Sequence, residues 1–204
     1  AIEEQTSETI WQFVENDEKT GFYLFNPLMN LYVKHPTGGG TTAATLVADR
    51  AEASLYTVTP EDFLVKLAAE GYSGTEEYLN LNGWQGNFNV VRWEANGVAN
   101  NAASYWALKN VTEAELTQLA ADIKTEAAAQ LEEYKDAKRA LVEQYEALTN
   151  YGVAEAAVTA FETALAGITT EEYANLADKK AAVDAAFATL EATRATTNPL
   201  VAEQ

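Results

Sequence analysis

The chain has 204 residues, 48% of them hydrophobic and 10% aromatic, with a formal net charge of -18 and no cysteine. That length and apolar content suffice for one or two domains with real cores. The charge argues against general nucleic-acid binding, which needs clustered Lys and Arg, while the lack of cysteine excludes disulfides, thiolate metal sites and a thiol nucleophile.

From the N-terminus, Ala1-Ile2-Glu3-Glu4 lacks the basic and apolar regions of a secretory signal, and no apolar run is long enough to span a bilayer. The expectation is a cytosolic protein or one whose leader has been removed. Ser7-Glu8-Thr9-Ile10-Trp11-Gln12-Phe13 recurs as Glu52-Ala53-Ser54-Leu55-Tyr56-Thr57-Val58 and as Ala102-Ala103-Ser104-Tyr105-Trp106-Ala107-Leu108, at intervals of about 45 to 50 residues. A hydroxyl residue, a bulky apolar residue, an aromatic and then an alternating apolar position predict a half-buried strand, present three times. Trp11, Tyr56 and Trp106 are expected to cap the core of that sheet.

Further segments correspond between these copies. Asn30-Leu31-Tyr32-Val33-Lys34 matches Glu77-Tyr78-Leu79-Asn80-Leu81, and Thr45-Leu46-Val47 matches Val90-Val91-Arg92. Gly21 to Phe25 and Phe63 to Leu67 supply a strand leading into each unit. Asn26-Pro27, Gly38-Gly39-Gly40, Gly71 with Gly74, and Asn82-Gly83 supply turn chemistry between them. Short strands with regular turns predict an all-β barrel or sandwich.

Tyr78-Leu79-Asn80-Leu81-Asn82-Gly83, then Gly86 to Trp93, then Asn100-Asn101-Ala102-Ala103-Ser104-Tyr105-Trp106 resemble one unit of a ricin-type β-trefoil. The wording is similar to trefoil-like modules in exported proteins of Bacteroidetes. The resemblance implies a trefoil-like barrel over residues 1–110, incomplete at its start, with open edges that invite pairing with another chain. It also implies secretion or a cell-surface location, and a sugar pocket. Carried over residue by residue, the pocket's acidic position falls on Asn80 and its stacking aromatic on Trp93, while its amide positions fall on Val91, Ala103 and Ser104. Asn96, Asn100 and Asn101 are the substitutes for sugar hydroxyls, and Trp84, in a turn after Asn82-Gly83, is a second stacking candidate. In the middle unit Lys34 stands at the acidic position and Ala48 at the aromatic one. Trp93 shares a face with Val91, so a core role competes with a binding role.

The composition then shifts. All four Trp and five of seven Phe precede residue 110, after which Ala, Leu, Glu and Lys dominate. Thr112-Glu113-Ala114-Glu115 is a capping box that opens a long helix. Leu116, Leu119, Ile123, Ala127, Leu131, Tyr134, Leu141, Tyr145 and Leu148 form its apolar stripe, and Gly152 ends it. A second helix, Ala154 to Ala166, buries Val158, Phe161 and Leu165 and stops at Gly167 in a left-handed cap. A third begins at Thr169-Thr170-Glu171-Glu172 and buries Tyr173, Leu176, Val183, Phe187 and Leu190. Short turns predict a three-helix bundle over residues 111–198, followed by a tail over 199–204. This part resembles the FIVAR-type modules of bacterial surface proteins. Its Glu132-Glu133, Lys135 and Lys138-Arg139 charges read as a solvated face.

No pattern reads as catalytic. His35, the only histidine, is expected at the surface, before Pro36. Gly38-Gly39-Gly40-Thr41-Thr42 lacks the Lys of a phosphate loop and reads as a hairpin tip. Glu132 with Glu133, and Glu171 with Glu172, are adjacent on helices and point apart. The expected protein is therefore all-β plus all-α, an incomplete β-trefoil-like barrel followed by a three-helix bundle. It is expected to be a non-catalytic accessory region of an exported bacterial protein that binds carbohydrate through Asn80, Trp84, Trp93, Asn96, Asn100 and Asn101. No metal, cofactor, nucleic-acid partner or transmembrane segment is expected. The alternative is a structural spacer or protein-interaction module, engaging a partner through the helical bundle or the open barrel edge.

Overall fold

The computed structural model describes residues 6–37, 42–61, 64–72, 77–82, 89–93, 102–147 and 153–197. The chain divides into two compact units, Ala1–Thr117 and Gln118–Gln204.

The first unit is a curled antiparallel sheet of eight strands: β1 (Gln12–Glu15), β2 (Phe22–Asn26), β3 (Leu31–Lys34), β4 (Thr45–Val47), β5 (Tyr56–Glu61), β6 (Leu64–Ala69), β7 (Tyr78–Asn82) and β8 (Asn89–Trp93). Hydrogen-bonded neighbours run β4-β3-β2-β5-β6-β7-β8, with β1 on β2. Ala43, just before β4, bridges Val91 of β8, so the curling brings the two ends of this path together. Aromatic and branched side chains favour these extended segments, and asparagines close the turns between them. Asn16 Oδ1 accepts the backbone N–H groups of Thr20 and Gly21 at 2.8 and 3.1 Å, while Lys19 takes a left-handed φ of 56°. Asn26 Oδ1 accepts from Met29 N–H at 2.9 Å.

Pairing shows the repeat more sharply than the sequence does. β2 pairs along one whole edge with β1, and its other edge forks: Phe22 faces Tyr56 of β5, whereas Phe25 and Asn26 face Tyr32 and Leu31 of β3. β6 repeats this arrangement. One edge pairs with β5, and the other forks between Trp106 opposite Val65 and Tyr78 of β7 opposite Ala68. Tyr56 and Trp106 are thus equivalent, as are Tyr32 and Tyr78. The hairpin ladders Tyr32↔Val47 and Tyr78↔Trp93 make Val47, rather than Ala48, the counterpart of Trp93. That is a one-residue correction of the sequence alignment, and in a strand one residue changes the face.

The repeated hydroxyl–apolar–aromatic signature is not wholly strand. Short 3-10 turns open the first and third copies, Ser7–Thr9 and Ala102–Ser104, and Arg50–Glu52 leads into the second, because local capping competes with extended pairing; Asp49, for example, accepts from Ala51 N–H at 2.9 Å. The aromatics also differ. Tyr56 is fully buried, Trp106 packs against the core made by Leu24, Val33, Tyr56, Leu67, Ala69 and Leu79, and Trp11 is 37% exposed. The expected capping role therefore fails for Trp11. Among the described residues β1 pairs with β2 alone, so nothing sandwiches Trp11 as β2 and β6 sandwich Tyr56.

The second unit contains α2 (Glu155–Gly167), α3 (Leu176–Thr197) and most of α1 (Glu113–Glu146). The capping box at the start of α1 forms as the sequence implies: Thr112 N–H donates to Glu115 Oε2 at 2.7 Å, and Glu115 N–H donates to Thr112 Oγ1 at 3.3 Å. The Thr112 N–H first, and then the Thr112 hydroxyl donating to the same Oε2 at 2.7 Å, hold the Glu115 carboxyl below its ordinary value. Contacts from α1 to the later chain climb together, from Gln130 with Tyr173, through Tyr134 and Lys138 with Asp184, to Tyr145 with Glu191. α1 and α3 are therefore parallel, and α2 runs back between them. One apolar core joins Leu131 and Val142 of α1, Phe161 and Leu165 of α2, and Leu176, Val183, Phe187 and Leu190 of α3.

Four helical expectations change. Leu116 is 52% exposed and Lys135 only 3% exposed, its ammonium 2.7 Å from Glu132; the long stem of Lys135 packs inside while its head reaches the rim. Gly167 is the last helical residue rather than a left-handed cap. The chain leaves through extended Ile168, whose N–H donates to the Leu165 carbonyl and whose side chain packs on the core. α3 starts later than expected, because Tyr173–Asn175 form a 3-10 turn and Thr170, buried, donates to the Glu172 carbonyl. Gly152 lies outside the described residues.

Two measurements test this packing. A Cβ on Gly21 would lie 2.8 Å from the Tyr56 carbonyl oxygen, so Gly21→Ala is expected to cost about 1–3 kcal/mol in urea unfolding by forcing β2 from β5. Asp184, half-exposed, is held below its ordinary carboxyl range by Lys138 first and Tyr134 second. Its stabilisation is present above the unfolded value and is lost as pH falls through the folded one. Asp184→Asn is expected to cost at most about 1 kcal/mol near neutrality, the difference vanishing at pH values well below about 4.

Candidate functional site

The β7–β8 hairpin carries the two sugar-site candidates that lie within the described residues. Its ladder places Tyr78 opposite Trp93, Asn80 opposite Val91 and Asn82 opposite Asn89, so these six share one face. Along that face burial changes steeply. Val91 is 1% and Asn80 7% exposed, whereas Trp93 at the strand end is 44% exposed. Trp93 and Val91 do share a face, as their alternation implies, but only Val91 reaches the interior.

Asn80 is committed to the fold. Its amide nitrogen donates to Ser104 Oγ at 2.9 Å, and Ser104 is fully buried. The same device serves the preceding unit, where the backbone N–H of His35 donates to Ser54 Oγ at 2.9 Å and Ser54 N–H donates to the Val33 carbonyl. The hydroxyl of the repeat signature thus pins the end of the preceding unit's third strand. Trp106 adds a second clamp, its indole N–H donating to the Leu79 carbonyl at 3.0 Å. Trp84, Asn96, Asn100 and Asn101 lie outside the described residues.

Around Trp93 the described surface is aromatic and cationic. Tyr78 faces it across the hairpin, and the Lys66 ammonium lies 5.7 Å from the ring centroids of both Tyr78 and Tyr105. Lys66 belongs to β6 two residues from Ala68, the partner of Tyr78, and two residues along a strand return a side chain to the same face. Sequence reasoning missed this grouping, because Tyr105 reads there only as the residue before Trp106.

A second unanticipated group is buried. His35, expected at the surface, is 1% exposed. Its Nδ1 lies 3.4 Å from the Tyr56 hydroxyl, its ring centroid lies 4.5 Å from that of Tyr72, and the Arg92 guanidinium sits 5.6 Å over Tyr72. Burial pushes the Tyr56 phenol far above its ordinary value, with Tyr72 adding to it and a hydrogen bond to Ser54 opposing it. The inward turn follows from a contact 19 residues along the chain: the Ser54 bond fixes the His35 backbone, and Pro36 beside it is buried as well.

Other candidate chemistry resolves into surface pairing. Glu132 contacts Lys135 and Arg139, while Glu171 contacts Lys124 at 3.7 Å. Among the described residues no cluster of His, Cys, Asp or Glu could hold a metal ion, and no helix is long and apolar enough to cross a membrane. Gly38 to Thr41 lie outside the described residues. No family model, no curated protein and no solved structure matches this chain.

The two described candidates separate by substitution. Asn80→Ala removes the amide donor from the buried Ser104 Oγ and is expected to lower unfolding free energy by about 1–3 kcal/mol. Trp93→Ala, at an exposed strand end, is expected to change it by less than about 0.5 kcal/mol. Parallel urea titrations of the two variants check both.

Proposed function

We propose that the chain is a non-catalytic accessory region of an exported bacterial protein, in which a β-trefoil-like module binds carbohydrate and a FIVAR-like helical bundle spaces or presents it. The observation that carries this reading is the exposed indole of Trp93 directly across the hairpin from Tyr78, with Lys66 over the Tyr78 and Tyr105 rings. A flat aromatic on the rim of a rigid hairpin can stack on the apolar face of a sugar ring, and neighbouring donors can orient its hydroxyls. Trp84, Asn96, Asn100 and Asn101 are the further candidates that the sequence offers for the same proposed site, in place of the pattern's own amides. Asn80 supports it from beneath, through Ser104, rather than by touching the ligand.

A second reading has its own observation. The amide positions of the lectin pattern are occupied by Val91, Ala103 and Ser104, and Asn80 is spent on the fold, so the described half of the pocket is short of sugar-directed amides. This favours a module that keeps the architecture and acts as a spacer or protein contact.

Glycan-array binding by the intact chain, repeated with Trp93→Ala and Trp84→Ala, separates the two. Under the first reading, a defined glycan class binds and each substitution weakens it at least tenfold, about 1.4 kcal/mol, with the fold intact. Binding to no glycan, or binding indifferent to both tryptophans, supports the second.

A further inference from the structure

We propose that the outer face of β2 and β3 is a second glycan site, built from Tyr23, Phe25, Tyr32 and Arg50, and that it takes a carboxylated sugar, a uronic acid residue of a polysaccharide. The inference rests on the glycan reading for its ligand class but not on Trp93, which stands on β8.

Strand register sets this face. Phe13, Leu24 and Val33 belong to the core, so Tyr23, Phe25 and Tyr32, their neighbours along β2 and β3, turn outward, where each is half-buried. The three rings brace one another. Phe25 and Tyr32 lie 4.6 Å apart between centroids, and Tyr23 meets Tyr32 edge-on at 6.3 Å. Rings held in this way present apolar surface to a sugar with little ordering cost on binding. The Tyr23 and Tyr32 hydroxyls make no hydrogen bond among the described residues, which leaves both to meet the hydroxyls of that sugar.

Charge selects among sugars. The Arg50 guanidinium sits 5.7 Å over the Tyr23 ring, and the two acids beside it are engaged elsewhere, Asp49 accepting from Ala51 N–H at 2.9 Å and Glu52 pairing with Lys34 at 3.8 Å. Arg50 itself makes no ion pair among the described residues. The residues paired with the rings, Gln12, Val14 and Val47, are uncharged, and the next outward position on β3 is Lys34. In a chain with 31 acidic and 13 basic residues, these strands thus turn out a face without a carboxylate. A guanidinium held over a ring keeps its in-plane N–H fork for a bidentate carboxylate.

The repeat supplies this chemistry twice. Ala68 faces Tyr78 as Phe25 faces Tyr32, so Lys66 stands where Tyr23 does. The cation–ring pairing persists although the strand contributes the ring in one unit and the cation in the other, Lys66 lying 5.7 Å from the Tyr105 ring centroid.

The test is isothermal titration of the intact chain at low salt with hexamers of galacturonate and of mannuronate, their methyl esters, and hexaglutamate. At least one uronate hexamer is expected to bind, with its ester and hexaglutamate at least about tenfold weaker, because one lacks the charge and the other the sugar ring. Arg50→Gln and Tyr32→Leu should each weaken binding by about tenfold or more, whereas Trp93→Ala leaves it unchanged. Urea titration of Arg50→Gln, a substitution at an exposed turn position, checks that the fold is intact. Binding of neither uronate, equal binding of the esters or of hexaglutamate, or indifference to Arg50→Gln overturns the proposal. Neutral glycans bound through Trp93 in that case leave the function proposed above standing alone. A dimer of the unliganded chain that Arg50→Gln dissociates also overturns it, since a second copy would then occupy this face.

Discussion

The forked pairing of β2 and β6 is the constraint on which the rest of the β unit depends. A buried strand edge must satisfy every N–H and carbonyl along it. Each of these strands meets that demand with two different partners on a single edge, one near its start and one near its end. The fork makes the sheet curl, because neighbours that part company along a strand cannot stay in one plane. It also creates the pocket between β2 and β6 in which Tyr56 is fully buried. Gly21 belongs to the same constraint, since only a residue without Cβ lets the chain entering β2 pass so close to the Tyr56 carbonyl.

Pinning hydroxyls make the fork repeatable. Ser104, fully buried, and Ser54, half-buried, are small enough to pack beneath the strands and polar enough to accept a hydrogen bond there, which holds the third strand of the preceding unit at its end. Burial of His35 follows from this, since fixing its backbone N–H turns the imidazole toward Tyr56 and Tyr72. In the helical unit the division of labour is simpler. Apolar residues from all three helices make one core, and the abundant carboxylates stand at its rim against Lys124, Lys135, Lys138 and Arg139. With so few cations for so many acids, most carboxylates serve hydration and mutual repulsion between molecules rather than internal pairing.

Legibility in the sequence followed the range of the interaction. The long helix opens where Thr112 and Glu115 cap it, and the core residues Leu131, Phe161, Leu165, Leu176, Val183, Phe187 and Leu190 could be read from period alone, because both signals act within a few residues. The strands around Phe22, Leu31, Thr45, Leu64, Tyr78 and Val90 were likewise legible from alternation and turns. The site was less so. Trp93 reads as core or contact with equal ease, since its alternation with Val91 gives the face and not the depth. Asn80 reads as a ligand-facing amide until its partner, far along the chain, is known.

Local chemistry alone determined the two-part composition, the repeat, the order of strands and helices, and the absence of thiol chemistry, because composition and short-period patterns are properties of neighbouring residues. Tertiary structure decided which copy of the repeated aromatic is buried, which register aligns Val47 with Trp93, that Lys66 lies over Tyr78 and Tyr105, and that His35 is enclosed. Those outcomes depend on which strands meet along each forked edge. That choice is made between segments distant in the chain, where no local pattern carries the information.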